Sequence, residues 1–135
     1  MTKRITMLAA VGVLALALTG CEKTTPTYSF SGSIKKSSVA CTFYGVYGKA
    51  GFTKPDSIKT TCSFSSTAGG GEHPYVIQDL GCSYRFNGQD GQTLSYQTDC
   101  LGDGIYGVSY RVCQTHGGPL PDDCGDATNY SFPDQ

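Results

Sequence analysis

In the stretch YGVSYRVC, residues 106–113, an apolar or aromatic side chain stands at every second position. In a β-strand these side chains share one face, and the polar residues between them share the other. The four in question are Tyr106, Val108, Tyr110 and Val112. The stretch therefore predicts a half-buried strand, and it is the clearest secondary-structure signal in the chain.

The same period of two recurs elsewhere. It covers Tyr28–Ile34, Ile58–Phe64, Cys82–Phe86 and Leu94–Tyr96. The turn-rich stretch Asn87–Gly91 separates the last two, which predicts a β-hairpin. No stretch has the apolar spacing of an amphipathic helix, and the 18 glycines argue against long helices. The sequence predicts an all-β fold, an antiparallel β-sandwich or barrel of about six to eight short strands.

The N-terminus has the three parts of a secretory signal peptide. Lys3 and Arg4 are basic, residues 5–18 carry no charge, and small residues precede Cys21. A transmembrane helix needs about 20 apolar residues, and this run is shorter. We therefore expect residues 1–20 to be a cleaved signal peptide.

The apolar run ends in the motif Leu18-Thr19-Gly20-Cys21. This motif resembles the lipobox of bacterial lipoproteins, in which an aliphatic residue and two small residues precede a cysteine. The resemblance implies that the Cys21 thiol carries diacylglycerol and that the amino group exposed by cleavage is acylated. Incorporation of labelled palmitate would report these acyl chains. Two or more acyl chains hold a protein stably on a membrane. Residues 21–27 would then be the lipidated cysteine and a short tether. Residues 28–135 would form a disulfide-rich β domain facing the periplasm or the exterior.

Lipidation would account for one of the seven cysteines. Six remain, and an oxidising compartment favours three disulfide bonds. They are Cys41, Cys62, Cys82, Cys100, Cys113 and Cys124. The sequence leaves many connectivities open. Pairing of neighbours along the chain gives Cys41–Cys62, Cys82–Cys100 and Cys113–Cys124, and the middle pair depends on the predicted hairpin. The closest cysteines are 11 residues apart, unlike the close pairs of thiolate zinc sites.

Candidate catalytic residues are few. The chain has neither a Gly-x-Ser-x-Gly nor a His-Glu-x-x-His motif, and its two histidines, His73 and His116, lie in Gly/Pro-rich loops. They can meet Glu72 or Asp122 at a metal ion, but solvated loop side chains are commoner. Residues 122–126 are acidic and lack the register of a calcium loop. We therefore expect no catalytic residue, no metal site and no cofactor.

Charge is unevenly distributed along the chain. Residues 22–60 hold six lysines and two acids, whereas residues 61–135 hold two arginines and nine acids. If the fold keeps this separation, a lysine-rich side would face anionic lipid head groups, and the loops after Gly69 would face a partner. If strands of the two halves interleave, the separation is cancelled. The lysines concerned are Lys35, Lys36, Lys49, Lys54 and Lys59.

The predicted lipid anchor and the predicted β domain together indicate the expected function. We expect a membrane-anchored cell-envelope lipoprotein that is not an enzyme and acts as a binding or interaction module. Its partners would be the membrane, through Cys21, and an envelope protein or glycan, with no nucleic acid. The alternatives are a phage- or plasmid-encoded exclusion lipoprotein, an inhibitor of an envelope enzyme and a small envelope hydrolase. The stretch Tyr44–Gly48 offers either a contact patch or packed strand residues.

Overall fold

The computed structural model describes residues 23–47, 55–99 and 107–132. Within these ranges every regular element is a β-strand, and no helix there is long and apolar enough to span a membrane. The strands are β1 (Lys23–Thr24), β2 (Tyr28–Ile34), β3 (Ser37–Tyr47), β4 (Ser57–Ser66), β5 (Pro74–Asp79), β6 (Ser83–Asn87), β7 (Thr93–Thr98), β8 (Gly107–Gln114), β9 (Asp123–Cys124) and β10 (Thr128–Ser131).

These strands form two antiparallel sheets. In the first sheet, β1 and β2 both pair with β3, and β4 and β7 follow on its other side. In the second sheet, β9 and β10 both pair with β8, and β5 and β6 follow on its other side. β1 and β2 form one interrupted strand. Thr24 stands opposite Val46 and Tyr28 opposite Phe43, so one strand has an extra residue, as in a β-bulge.

The two sheets pack face to face over a core rich in aromatic rings. Val108, Tyr110 and Val112 of β8 are buried, as their alternation predicts. The ring of Tyr110 lies 4.7 Å from that of Phe43 and 5.6 Å from that of Phe30, measured between centroids. These contacts join the second sheet to the first. The prediction of an all-β, disulfide-stapled fold is therefore confirmed.

A buried polar network crosses the centre of this core. Gln78 Nε2 donates to Thr60 Oγ1 at 2.8 Å and to the Tyr110 hydroxyl at 2.7 Å. Thr98 Oγ1 donates to Gln78 Oε1 at 3.2 Å. Burial raises the pKa of Tyr110 to about 12, so its hydroxyl stays protonated. Buried polar groups are costly unless hydrogen-bonded, and here they satisfy one another while tying β4, β5, β7 and β8 together.

The predicted hairpin between Cys82–Phe86 and Leu94–Tyr96 is wrong. β6 pairs with β5 in the second sheet, whereas β7 pairs with β4 in the first. The chain crosses between the sheets here, and Phe86 stacks on Tyr96 across the core with ring centroids 4.2 Å apart. Backbone hydrogen bonds to Phe64 hold the crossing segment against the end of β4.

Two of the predicted disulfide bonds are confirmed. Cys41–Cys62 joins directly opposed residues of β3 and β4, and Cys113–Cys124 joins directly opposed residues of β8 and β9. Cys82 is also disulfide-bonded. Its predicted partner Cys100 lies outside the described residues, so that pairing stays a prediction.

The first sheet extends into the segment expected to be a tether. Lys23–Thr24 forms β1, and Thr25 is buried, with its hydroxyl accepting a hydrogen bond from Gly45 N at 2.9 Å. Cys21 itself lies outside the described residues. The sheet therefore begins two residues after Cys21 in the sequence.

The lysines of the described residues lie towards both ends of the first sheet, with Lys59 opposite Tyr44 near the end that carries β1. Lys35 and Lys36 form the turn between β2 and β3, at the opposite end of the first sheet from β1. At about 3.3 Å per residue, the two ends are roughly 35 Å apart. β7, from the acidic half of the chain, joins the first sheet, so the two halves interleave in part. Lys49 and Lys54 lie outside the described residues.

Residues 44–47 of the tyrosine-rich stretch belong to a strand, and all of them except the partly buried Tyr44 are buried. They form the end of β3. A Cβ atom placed on Gly45 would lie 2.6 Å from Pro55 Cγ, so the chain passes closely there. Gly48 lies outside the described residues.

Candidate functional site

The Cys113–Cys124 disulfide bond closes a loop at one end of the second sheet. We call residues 114–123 the closed loop. Its two ends are paired as strands, since Gln114 of β8 stands opposite Asp123 of β9. The side chain of Gln114 also reaches the first sheet, where its Oε1 accepts hydrogen bonds from Lys36 N at 3.1 Å and Ser37 Oγ at 2.7 Å. The closed loop thus lies at the end of the domain remote from β1.

The segment before β5 binds the first part of the closed loop. Thr115 N donates to the His73 carbonyl at 3.0 Å, and His73 N donates to Thr115 Oγ1 at 2.9 Å. Gly117 N donates to Glu72 Oε2 at 2.9 Å. These bonds continue the sheet pairing by side-chain and backbone contacts, so residues 115–117 are held in place.

Tyr75, Arg85 and Asp122 hold the last part of the closed loop. The Tyr75 hydroxyl donates to Asp122 Oδ2 at 2.5 Å, and the Arg85 guanidinium lies 3.6 Å from the centroid of the Tyr75 ring. Arg85 Nη1 is 3.9 Å from Asp122 Oδ2. The hydrogen bond from Tyr75 holds the pKa of Asp122 below its usual range. Burial and the bond to Asp122 raise the pKa of Tyr75 to about 12. Asp122 is therefore a carboxylate and Tyr75 a neutral phenol at neutral pH.

The second acid of the loop contacts a histidine within the loop. His116 Nε2 lies 2.5 Å from Asp123 Oδ2, and both side chains are about 30% exposed (30% and 27%). The contact is an ion pair when the imidazole is protonated. It draws residue 116 towards the base of the loop beside the disulfide bond.

The residues that the sequence offered for a metal site lie near one another, but their side chains bind different partners. Glu72 binds a backbone amide, Asp122 binds Tyr75 and Arg85, and His116 contacts Asp123. His73 Nδ1 lies 3.0 Å from the Pro74 carbonyl oxygen. Among the described residues no group of three or more His, Cys, Asp or Glu side chains is placed to hold a metal ion. The arrangement instead fixes the shape of a loop.

The tip of the closed loop is apolar and exposed. Gly118 has φ +71°, a conformation that favours glycine, and it starts the turn. Pro119, Leu120 and Pro121 follow, all exposed, and Leu120 is 61% exposed. The sequence predicts a Gly/Pro-rich loop at residues 116–119 and no role for Leu120. The signal that points to them is the short Cys113–Cys124 spacing, which encloses them once the pairing is known.

The outer face of the first sheet is the other candidate surface. Two shallow grooves of about 360 and 370 Å³ lie on it, side by side. Small hydroxyl side chains and Ala40 line most of both grooves, with no charged residue among them. The lining hydroxyl residues include Ser29, Ser31, Thr42 and Ser63. These side chains do not project far from the sheet and present no charge, so the closed loop is the more distinctive site.

Comparison of the chain with protein-family models, curated proteins and solved structures finds no match. The functional assignment therefore depends on the chain's own residues.

Proposed function

We propose that the chain is a bacterial cell-envelope lipoprotein, anchored by lipid on Cys21, whose β domain is a non-catalytic binding module. The motif Leu18-Thr19-Gly20-Cys21 carries this proposal, and the position of β1 says where such an anchor would lie relative to the domain. Lys23 pairs with Tyr47 at one end of the first sheet, so a lipid on Cys21 would lie two residues from the folded domain. Several acyl chains so close to a domain would hold that end at the membrane surface.

The closed loop is then the part of the domain turned away from the membrane. Lys36, at the other end of the first sheet, is hydrogen-bonded to Gln114 at the base of the closed loop. The strands between the two ends span roughly 35 Å at about 3.3 Å per residue. A binding surface at that distance is accessible to proteins and glycans of the envelope.

The use of the polar side chains supports binding over catalysis. Asp122, Glu72 and His116 each hold part of the closed loop in place. Functional loops on a rigid scaffold commonly bind other molecules. Here the rigid part extends into the loop itself, since a disulfide bond and side chains from the second sheet fix both of its halves.

Labelling with palmitate tests the anchor. Cells expressing the full chain are grown with labelled palmitate and fractionated, and Cys21→Ser is compared with Thr27→Ser as a control. We expect the control to be labelled and membrane-bound. Cys21→Ser should be unlabelled and should accumulate as precursor or soluble protein. Label on the Cys21→Ser protein, together with its retention in membranes, would contradict the proposal.

A further inference from the structure

The outer face of the first sheet carries hydroxyl groups in a regular array. Its outward residues form ranks, in which residues of neighbouring strands stand directly opposite one another. Three adjacent ranks are centred on Ser38, Ala40 and Thr42 of β3, and every residue in them is Ser or Thr apart from Ala40. In the middle rank Ala40 stands between Ser31 and Ser63. We call these three ranks the hydroxyl face.

The hydroxyl face holds no charged side chain. Charged residues make up about 25–35% of a typical soluble surface, so solubility alone does not require a face of this composition. The nearest lysines lie beyond its ends. Lys35 and Lys36 form the turn next to the rank of Ser38, and Lys59 lies one rank past Thr42. The face itself therefore fits a partner without charge.

Two shallow grooves meet on the hydroxyl face and lead towards an aromatic ring. Their volumes are about 360 and 370 Å³, and both are lined by Ala40 and its neighbours Ser31 and Ser63. Along β3 they extend over residues 38–42, roughly 13 Å at about 3.3 Å per residue. The next outward residue of β3 is the partly exposed Tyr44. The grooves thus form an elongated site with a tyrosine at one end.

Several hydroxyl groups in the grooves are available to a ligand. Those of Ser29, Ser31, Ser38 and Thr42 make no hydrogen bond with the described residues, and neither does that of Tyr44. A Ser or Thr hydroxyl can donate one hydrogen bond and accept two. A sugar hydroxyl has the same capacity, so the two groups can bond directly or through a shared water. The apolar C–H face of a sugar ring can also pack on a tyrosine ring.

Other classes of partner match the hydroxyl face less well. Protein interfaces are depleted in Ser and Ala and enriched in aromatic residues, Met and Arg. A nucleic acid requires Lys or Arg opposite its phosphates. A lipid surface requires an apolar face or a cluster of basic residues. A neutral polysaccharide requires none of these, and it presents hydroxyl groups in a repeating row, as the face does.

We propose that the hydroxyl face binds a neutral polysaccharide chain, which lies along β3 in the two grooves with one sugar ring against Tyr44. The inference deepens the proposed function as a binding module and rests on it, because a domain exposed to the envelope meets such chains. It names the class of ligand and assigns it to the first sheet. The site is separate from the closed loop, which lies on the second sheet.

Amide NMR with neutral tetrasaccharides tests the proposal. The full chain, in a detergent without a sugar head group, is titrated with chitotetraose, cellotetraose and maltotetraose, and with anionic tetragalacturonate. We expect at least one neutral sugar to shift the amides of residues 38–44 and 61–65, with a Kd of about 1 mM or below. Added salt should leave this affinity unchanged, because no charges are paired.

Three outcomes of the titration contradict the proposal. The first is that no neutral sugar shifts any amide. The second is that the shifts are confined to other residues, such as those of the closed loop. The third is that tetragalacturonate binds more tightly than every neutral sugar, since the ligand would then be recognised by charge at Lys36 or Lys59.

Filling the grooves where they meet gives a matched pair of variants. Ala40→Gln places a long neutral side chain at the junction, and Ala127→Gln makes the same change at an exposed position between β9 and β10. We expect Ala40→Gln to weaken binding of the sugar by at least about tenfold and Ala127→Gln by less than about twofold. Both positions are exposed, so the two variants should unfold at similar temperatures. Equal affinity of the two variants overturns the proposal.

The failure of this inference is distinguishable from that of the proposed function. Palmitate labelling reports the Cys21 anchor whatever the hydroxyl face binds. Labelled protein that binds no neutral sugar overturns the polysaccharide site alone. Sugar-induced shifts at the hydroxyl face of a protein without label leave the polysaccharide site standing and overturn the lipid anchor.

Discussion

The outer faces of the two sheets are built in opposite ways. On the first sheet the outward side chains are short and exposed, and some bond to each other, as Thr61 does to Ser95 and Ser63 to Thr93, at 2.7 and 3.0 Å. On the second sheet Tyr75 and Cys113 point outward and are nevertheless buried, at 4% and 0% exposure. The closed loop lies against them.

This difference indicates different roles for the two sheets. The first sheet is a scaffold, and the second sheet also supports the closed loop. The first sheet needs only one buried face, and its other face carries the hydroxyl groups that keep a strand soluble. The second sheet has a buried face on each side, the inner one for the main core and part of the outer one for the closed loop. Burial on that outer side does not hold the two sheets together. We therefore infer that it fixes the shape of the closed loop.

The largest expected effect comes from comparing the two disulfide bonds. Cys41–Cys62 lies in the main core, so Cys41→Ala with Cys62→Ala should lower the free energy of unfolding by about 3–5 kcal/mol. Cys113–Cys124 closes the loop and Cys124 is exposed, so Cys113→Ala with Cys124→Ala should cost at most about 3 kcal/mol. Denaturant unfolding measures both costs.

Hydrogen exchange then tests whether the closed loop opens independently of the main core. In the Cys113→Ala, Cys124→Ala protein, amides of the closed loop should exchange fast while those of β3 and β4 keep their protection. Equal loss of protection in both regions would show that the closed loop is part of the same cooperative unit as the main core, against the division drawn above.

Sequence patterns predicted the inner faces of both sheets better than the outer face of the second sheet, and for a physical reason. Alternation reports one buried face per strand, and in Thr61–Phe64 it identifies Cys62 and Phe64 as inward side chains, which are 1% and 3% exposed. Tyr75 and Cys113 are buried by a loop that returns from elsewhere in the chain. Their burial depends on a tertiary contact that no local period records.

The crossing between the sheets tests how closely the two are joined. Gly88 is buried, and a Cβ atom placed on it would collide with the ring of Phe64 on the inner face of the first sheet. Gly88→Ala should therefore cost about 1–3 kcal/mol, because the ring or the crossing segment has to move. Gly69→Ala is the control, since its Cβ atom would meet nothing within 4 Å.

Chemical denaturation of the two alanine variants gives the comparison. Similar stability of Gly88→Ala and Gly69→Ala would mean that the crossing segment yields without cost and that the sheets are not held together there. The incorrect hairpin involves a different contact, the stacking of Phe86 on Tyr96. Asn87–Gly91 has the composition of a turn, but Phe86 finds its stacking partner across the core, and a turn sequence does not specify which strand it leads to.

The candidate site was predicted only in its parts. Both histidines and the acids near them are visible in the sequence as loop residues, and the loops after Gly69 were expected to face a partner. Their roles depend on Tyr75 and Arg85, which lie on neighbouring strands and meet Asp122 only in the fold. Leu120 has no feature in the sequence that separates it from any other loop leucine. Its distinction is exposure on a fixed loop, which only the structure gives.

The smallest expected effect is that of removing one hydroxyl beneath the closed loop. Tyr75→Phe keeps the ring under Arg85 but deletes the hydrogen bond to Asp122. The pKa of Asp122 should then rise towards the usual value for a carboxyl group, because that bond is the main cause of its depression. Amides of residues 117–120 should exchange roughly fivefold faster at neutral pH, since one hydrogen bond no longer holds the loop. NMR measures both quantities, and Tyr84→Phe is the control, since its hydroxyl makes no hydrogen bond with the described residues.

The interaction between Tyr75 and Asp122 should stabilise the closed loop at neutral pH and not in acid. The pKa of Asp122 is lower in the folded protein than in the unfolded chain, so its contribution to stability is complete above the unfolded pKa of about 4 and is lost as pH falls through the folded pKa. The exchange difference between Tyr75→Phe and the unchanged protein should therefore be full at neutral pH and disappear in acid, where the unchanged protein has lost the same interaction. A difference that stays constant into acid would mean that the Tyr75 hydroxyl supports the loop by packing, and that the Asp122 carboxylate does not hold the closed loop on the second sheet.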